Sequence, residues 1–164
     1  TGSGMPGIPV KISLPFIKLT LIESITKKCK FIENAVNKLN LANTKILNKR
    51  AEDVCKDSEY RQKYDFVLSR AVSKFSNNLE ISIPLLKING YFIIYKTKKS
   101  KESLKKEIDS TKNAVNLLGA KFKQAIFYNL PKQKLDYCIL IFKKYKSTPN
   151  IFPREIKIYK KKPL

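Results

Sequence analysis

The chain opens on Thr1-Gly-Ser-Gly-Met-Pro-Gly7, in which Gly2, Gly4 and Gly7 form a G-x-G-x-x-G spacing. Glycines at that spacing let backbone N–H groups approach a nucleotide-like ligand closely where a helix begins, here near Pro6. Alone, the motif is no more than a turn between strand and helix. Glu23 adds a second feature, because it stands 19 residues after Gly4 and directly follows the apolar run Phe16-Ile-Lys-Leu-Thr-Leu-Ile22. An acid at the carboxyl end of the strand after such a loop accepts hydrogen bonds from the two ribose hydroxyls of a bound nucleoside. A carboxylate at a helix N-terminus is also stabilised by the helix dipole without any ligand. Together, loop and acid favour a nucleoside-cofactor site.

The elements that would position these residues alternate between strand and helix. Phe16–Ile22 reads as a buried strand, and Thr44–Leu47, Tyr64–Ser69 and Gly90–Lys96 as three more. From Ser24 to Leu39, apolar residues recur at Ile25, Cys29, Ile32, Val36 and Leu39, one face of a helix with Ser24 as its N-cap. Further helices are expected over Ala51–Lys63, over 75–88 with Pro84 and Asn89-Gly90 closing it, and over Glu102–Leu118 with Gly119 stopping it. Two last strands, about 122–129 and 135–143, flank Pro131–Lys134 and should pair antiparallel. The tail from Lys146 is basic, carries three prolines and is expected to run irregularly over the surface. Such alternation implies an α/β fold: a parallel sheet, helices on both faces, right-handed crossovers. A glycine loop of this type follows the first strand of its sheet, and nothing precedes Thr1, so the chain reads as a fragment beginning just after a central strand.

Composition narrows the chemistry. The chain has 164 residues, 34 Lys+Arg against 13 Asp+Glu, and a formal charge of +21. Its hydrophobic share of 43% is that of a chain able to bury a core. No apolar run approaches the roughly 18 residues of a membrane span, and no secretory leader opens the chain. Histidine is absent, which removes imidazole acid–base chemistry, Ser-His-Asp and Cys-His triads and most zinc sites. Cys29, Cys55 and Cys138 form no C-x-x-C pair and favour neither a disulfide framework nor zinc. Only four basic residues are arginine, a bias that an AT-rich genome also produces; even so, the charge favours a polyanionic partner. A dehydrogenase would need a substrate domain and a proton-transfer residue for which there is no room. The terminal antiparallel hairpin suits a seven-stranded methyltransferase sheet instead.

The blocks T-G-S-G-M-P-G-I-P, L-I-E-S, K-K-C-K-F-I-E, N-K-R-A-E-D, F-V-L-S-R-A-V, N-G-Y-F-I-I-Y-K and the closing P-R…K-K-P-L, in this order along the whole chain, resemble the RsmG/GidB family. The resemblance implies a Rossmann-like class I S-adenosylmethionine-dependent methyltransferase domain over 1–145, lacking its first strand and the family's N-terminal helices, and a basic, Pro-containing tail over 146–164. It implies transfer of a methyl group from S-adenosyl-L-methionine to N7 of a guanine in small-subunit (16S) ribosomal RNA. The expected partners are that RNA or a ribosomal particle, with no membrane, for a monomer in a bacterial cytoplasm or a plastid-like compartment. A non-catalytic, basic RNA-binding remnant is the alternative, and a nucleotide-dependent oxidoreductase a weaker one.

The same resemblance assigns residues. Gly2, Gly4 and Met5 would line the cofactor; Glu23, Ser24 and Ile25 would hold its ribose and flank its adenine; Ala51 and Glu52 would meet the adenine end. Arg70, in Ser69-Arg70-Ala71, matches a cofactor-pocket arginine. Lys96 matches a basic residue facing the RNA, although the family's Lys-Gly is Lys96-Thr97 here. Lys98, Lys99, Lys101 and Lys160–Lys162 are further RNA-facing candidates. No catalytic residue and no metal ligand is assigned. Guanine N7 carries an in-plane lone pair and no proton, so it needs positioning rather than a general base.

Overall fold

Leu19-Thr-Leu-Ile22 and Thr44-Lys-Ile-Leu47 are short, extended and apolar on one side. In the computed structural model they pair as parallel strands β1 (Leu19–Ile22) and β2 (Thr44–Leu47), with Leu21 opposite Ile46. The structure describes residues 1–70, 74–97, 101–131, 136–162 and 164, which fall into two units, Thr1–Val54 and Cys55–Leu164. In the first unit, helix α1 (Gly7–Ser13) precedes β1 and helix α2 (Thr26–Lys38) links β1 to β2. Cys29, Ile32 and Val36 recur on the buried side of α2, and Ile32 and Val36 close over Ile8 and Leu21.

Two expectations fail here, each for a local reason. The first strand begins at Leu19, not Phe16, because the Lys11 ammonium takes the carbonyls of Pro15 and Ile17, at 2.6 and 2.5 Å, out of extended geometry. Lys11 is buried by this, while Phe16 is 80% exposed. Nor does Ser24 cap α2. The cap position is Ile25, whose N–H is taken by the Glu23 carboxylate.

The second unit holds a four-stranded sheet ordered β3-β4-β6-β5: β3 (Tyr64–Arg70), β4 (Leu86–Thr97), β5 (Ala120–Asn129) and β6 (Asp136–Lys144). β3 and β4 are parallel; β4, β6 and β5 are antiparallel, as expected of the last two strands. Among the described residues, the first unit thus holds a two-stranded parallel sheet and the second a four-stranded mixed one, and the α/β class is as expected. Alternate residues of β4 and β6, among them Phe92, Ile94, Leu140 and Phe142, form the core. On them pack Phe75 and Leu79 of α4 (Phe75–Ser82), Leu104 of α5 (Lys101–Ser110) and Val115 of α6 (Lys112–Leu117).

Several boundaries move. Helix α3 (Ala51–Lys56) stops seven residues short of Lys63, since Asp57 turns the chain by accepting the Glu59 N–H on its side chain and the Tyr60 and Arg61 N–H groups on its carbonyl. The expected 102–118 helix breaks at Thr111, whose hydroxyl donates back to the carbonyls of Glu107 and Ile108. Helix α4 ends at Ser82, and Ile83-Pro-Leu85 make one 3₁₀ turn leading straight into β4. Asn89-Gly90 therefore lies inside β4 rather than at a helix end, at the register shift between Tyr64↔Leu86 and Phe66↔Tyr91. A Cβ on Gly90 would meet Asp65 O at 2.9 Å and Tyr64 O at 3.1 Å. Gly90→Ala is expected to cost about 1–3 kcal/mol in urea unfolding, because backbone oxygens cannot step aside as a side chain can. An unchanged midpoint would refute that close approach.

The tail is mostly exposed, as expected of a surface segment, but it is pinned at Thr148, Phe152 and Arg154. Arg61 donates to the carbonyls of Thr148, Pro149 and Phe152, and Thr148 donates to Leu118 O. Glu80 accepts three hydrogen bonds from Arg154, each 2.8 Å, ahead of the closing helix α7 (Ile156–Lys161). Lys144, fully buried, donates to Ile83 O and Leu86 O; burial, followed by the nearby Arg61 charge, pushes its pKa down to about 8.

Candidate functional site

The glycine loop has the geometry its composition implies. Gly2 and Gly4 take φ of +66° and +88°, values that side chains disfavour, and a Cβ on Gly4 would strike Ile8 at 2.3 Å. Gly7 opens α1 directly against Leu21 and Leu19 of β1, where a Cβ would meet Leu21 Cδ2 at 2.6 Å. One glycine for the turn, one for close approach and one for helix–strand packing is the division of labour of a nucleotide-binding loop.

Glu23 closes the arrangement. It follows β1 with 7% of its surface exposed; Oε2 accepts the Gly2 N–H at 2.7 Å, and Oε1 accepts the Ile25 N–H at 3.0 Å. The Thr1 amino group reaches Oε2 at 3.0 Å and Ile22 O at 2.9 Å. Burial raises the carboxyl pKa, but the Gly2 and Ile25 N–H groups and the Thr1 amino group outweigh it and bring it down to about 2. The group is therefore a fixed anion. A carboxylate offers about four lone-pair sites, so Oε1 keeps one for a further donor such as a ribose hydroxyl.

The backbone of Glu23 is fastened as firmly as its side chain. Its N–H donates to Leu47 O, and its carbonyl accepts Asn48 Nδ2 at 3.1 Å and the Cys29 thiol at 3.3 Å. Asn48 Oδ1 in turn takes the Thr26 hydroxyl at 3.0 Å. Asn48 and Thr26, neither of which the sequence reading singled out, thus tie the acid to the end of β2. The available signal was position: Asn48 opens the N-K-R-A-E-D block directly after a strand.

The remaining candidates divide. Met5, Ser24 and Ile25 are exposed beside the loop and the acid, as a ligand-facing rim requires. Ala51 and Glu52 begin α3 in the same unit, partly exposed. Arg70 ends β3, exposed, in the other unit, and Ala71 lies outside the described residues. Lys96 does not stand free: its ammonium pairs with Glu107 at 2.5 Å and lies 4.4 Å from the centre of the Phe75 ring. Lys98 and Lys99 lie outside the described residues, as do the side chains of Lys101 and Lys160; Lys161 and Lys162 are exposed. Among the described residues, no group of three His, Cys, Asp or Glu could hold a metal, and no helix is long and apolar enough to cross a membrane.

A positive-φ glycine loop facing a buried, ionised acid has the form of a nucleoside-binding site. The family model described as rRNA small subunit methyltransferase G matches residues 1–135. Proteins named ribosomal RNA small subunit methyltransferase G from Carboxydothermus hydrogenoformans and Clostridium tetani are each 38% identical over all 164 residues. The chain spans 68% and 67% of their lengths, about two thirds. Among solved structures, the 16S rRNA (adenine(1408)-N(1))-methyltransferase W203A mutant from Catenulisporales acidiphilia superposes with a TM-score of 0.71 at 12% identity, covering 94% of this chain and 84% of that one. TYW2 of M. jannaschii in complex with AdoMet gives 0.65 at 17% identity, covering 84% and 63%. At such identities the likeness shows the fold: that of class I methyltransferases.

Proposed function

The chain belongs to the rRNA small subunit methyltransferase G family, whose cofactor is S-adenosylmethionine, and we propose that the atom it methylates is N7 of a guanine in small-subunit ribosomal RNA. The observation that carries the reading is the Glu23 carboxylate, held between the Gly2 and Ile25 N–H groups at the end of β1. Glu23 would hold the ribose, Gly2, Gly4 and Met5 would lie along the sulfur-bearing chain, and Ser24, Ile25, Ala51 and Glu52 would bound the adenine.

When bound, the cofactor supplies a methyl group on a sulfonium, a leaving group that needs no protonation. What the chain must do is hold the partners in line, with reacting atoms about 3–3.5 Å apart, and keep water out. Guanine N7 has a lone pair in the ring plane and no proton to lose, which fits a chain without histidine. A base buried in a helix must first leave its stack, and basic residues would grip the flanking phosphates. We further take the enzyme to act as a monomer in a bacterial cytoplasm.

Small-subunit rRNA lacking the modification, offered both naked and in particles with methyl-tritiated cofactor, tests this. Label recovered as 7-methylguanine after digestion is the expected result. Label on another base, or in neither substrate, would overturn it.

A further inference from the structure

Glu23 and Asn48 come next in register after Ile22↔Leu47, the last pair of the β1–β2 ladder. Leu47 O accepts the Glu23 N–H at 3.0 Å, and Asn48 Nδ2 donates to the Glu23 carbonyl at 3.1 Å. Thr26, the first residue of α2, donates its hydroxyl to Asn48 Oδ1 at 3.0 Å. A carbonyl only accepts, so one orientation of the amide serves Glu23, and the Thr26 proton holds the amide that way round. Past Asn48 the chain turns into α3, with the Arg50 carbonyl accepting the Asp53 and Val54 N–H groups at 3.1 and 3.2 Å. All of these residues belong to the first unit, and none of these bonds involves the first residue of the chain.

One side chain thus joins the two segments that the proposed function places around the nucleoside, Glu23–Ile25 and Ala51-Glu52. The hydrogen bonds that hold the Glu23 carboxylate come from Gly2 and Ile25, and neither fixes the acid relative to α3. Asn48 itself is exposed, and the Glu23 carbonyl has a second donor in the Cys29 thiol. Removing the amide therefore strands no buried group and costs the fold little. Its effect is expected in binding, where a site already held in its bound form loses less on ordering than one that must be arranged. We infer that Asn48 is a positioning residue for the adenosyl part of the cofactor. It fixes the main chain of Glu23 against the start of α3, so that the ribose-binding carboxylate and the adenine-side segment keep one spacing before and after the cofactor binds. The inference rests on the proposed placing of the ribose at Glu23.

Calorimetry of the full chain with S-adenosylhomocysteine, the cofactor without its methyl group, tests this together with methyl transfer to small-subunit RNA at varied cofactor. Asn48→Ala is expected to weaken binding about fivefold and to raise the cofactor KM to match, with kcat at saturation unchanged. Asn48→Asp has the same shape but sets an oxygen against the Glu23 carbonyl, and should weaken binding more than alanine does. Thr26→Val should lower affinity about threefold and Thr26→Ser should restore it, since only the hydroxyl is needed. Added to Glu23→Ala, Asn48→Ala should cost about twofold or less, because no carboxylate is left to position. Parent-like affinity in Asn48→Asp would overturn the inference, as would a fall in kcat at unchanged KM. So would an undiminished loss on top of Glu23→Ala, which is what a merely structural contact gives. Any of these with Glu23→Ala still impaired strikes Asn48 alone; full affinity in Glu23→Ala strikes the ribose site itself, and this inference with it.

Discussion

Alanine in place of Glu23 is expected to weaken binding of S-adenosylmethionine about a hundredfold at neutral pH, measured by calorimetry. Hydrogen bonds to a charged group contribute about 1.5–3 kcal/mol each, and losing one such bond to the ribose, at the upper end of that range, gives that factor. The loop would suffer as well, because Gly2 and Ile25 would lose the acceptor that now holds them. Glutamine would not rescue it: its amide nitrogen would be set against one of those N–H donors. Acid titration offers a second view of the same group. Its pKa is about 2 when folded against 4.5 in the free side chain, so its contribution to stability is complete above pH 4.5 and disappears as pH falls towards 2. The alanine variant should show a flatter stability profile across that window. Unaltered cofactor affinity in Glu23→Ala would refute the site.

The second large effect lies far from any ligand. Arg154→Ala should destabilise the Cys55–Leu164 unit by about 3–5 kcal/mol in denaturant unfolding, since it strands a carboxylate whose side chain is 1% exposed. Replacing both partners, Glu80→Gln with Arg154→Met, should cost less than Arg154→Ala alone, as buried pairs are expensive to break and cheap to delete together. A single-variant loss below about 1 kcal/mol would mean that the pair is not desolvated as the structure has it. The arginine pattern makes the prediction pointed. Of four arginines in a chain with 34 basic residues, Arg61 and Arg154 are spent on holding the tail, through forked contacts that a lysine could not reproduce.

How much of this could be read beforehand depends on the distance over which each feature is decided. The loop and Glu23 were legible because their geometry is local: glycines that must take positive φ, a short strand, and an acid at its end. Helix α2 was legible in its 3.6-residue period, and β5 and β6 in their alternation beside a turn. The errors fall where a side chain or a neighbouring strand overrules the backbone pattern. Phe16–Lys18 read as strand until the Lys11 ammonium drew the Pro15 and Ile17 carbonyls towards itself. Asn89-Gly90 read as a helix stop, yet Gly90 is needed for the oxygens of a neighbouring strand. Ser24 read as a cap because serine usually is one, and the Glu23 carboxylate took the donor instead.

From the residues alone came the type of fold, the glycine loop with its acid, and a chemistry that needs no imidazole. All of these follow from residue type and short spacing. The tertiary structure decided which charges are buried. Lys11, Lys144, Arg61 and Arg154 look in sequence like part of a solvated basic surface. Each is instead drawn inward by carbonyl or carboxylate oxygens that converge on it, in Arg61's case from residues 87 to 91 positions away. A charge leaves water only where such acceptors meet it, and that meeting is a property of the folded chain.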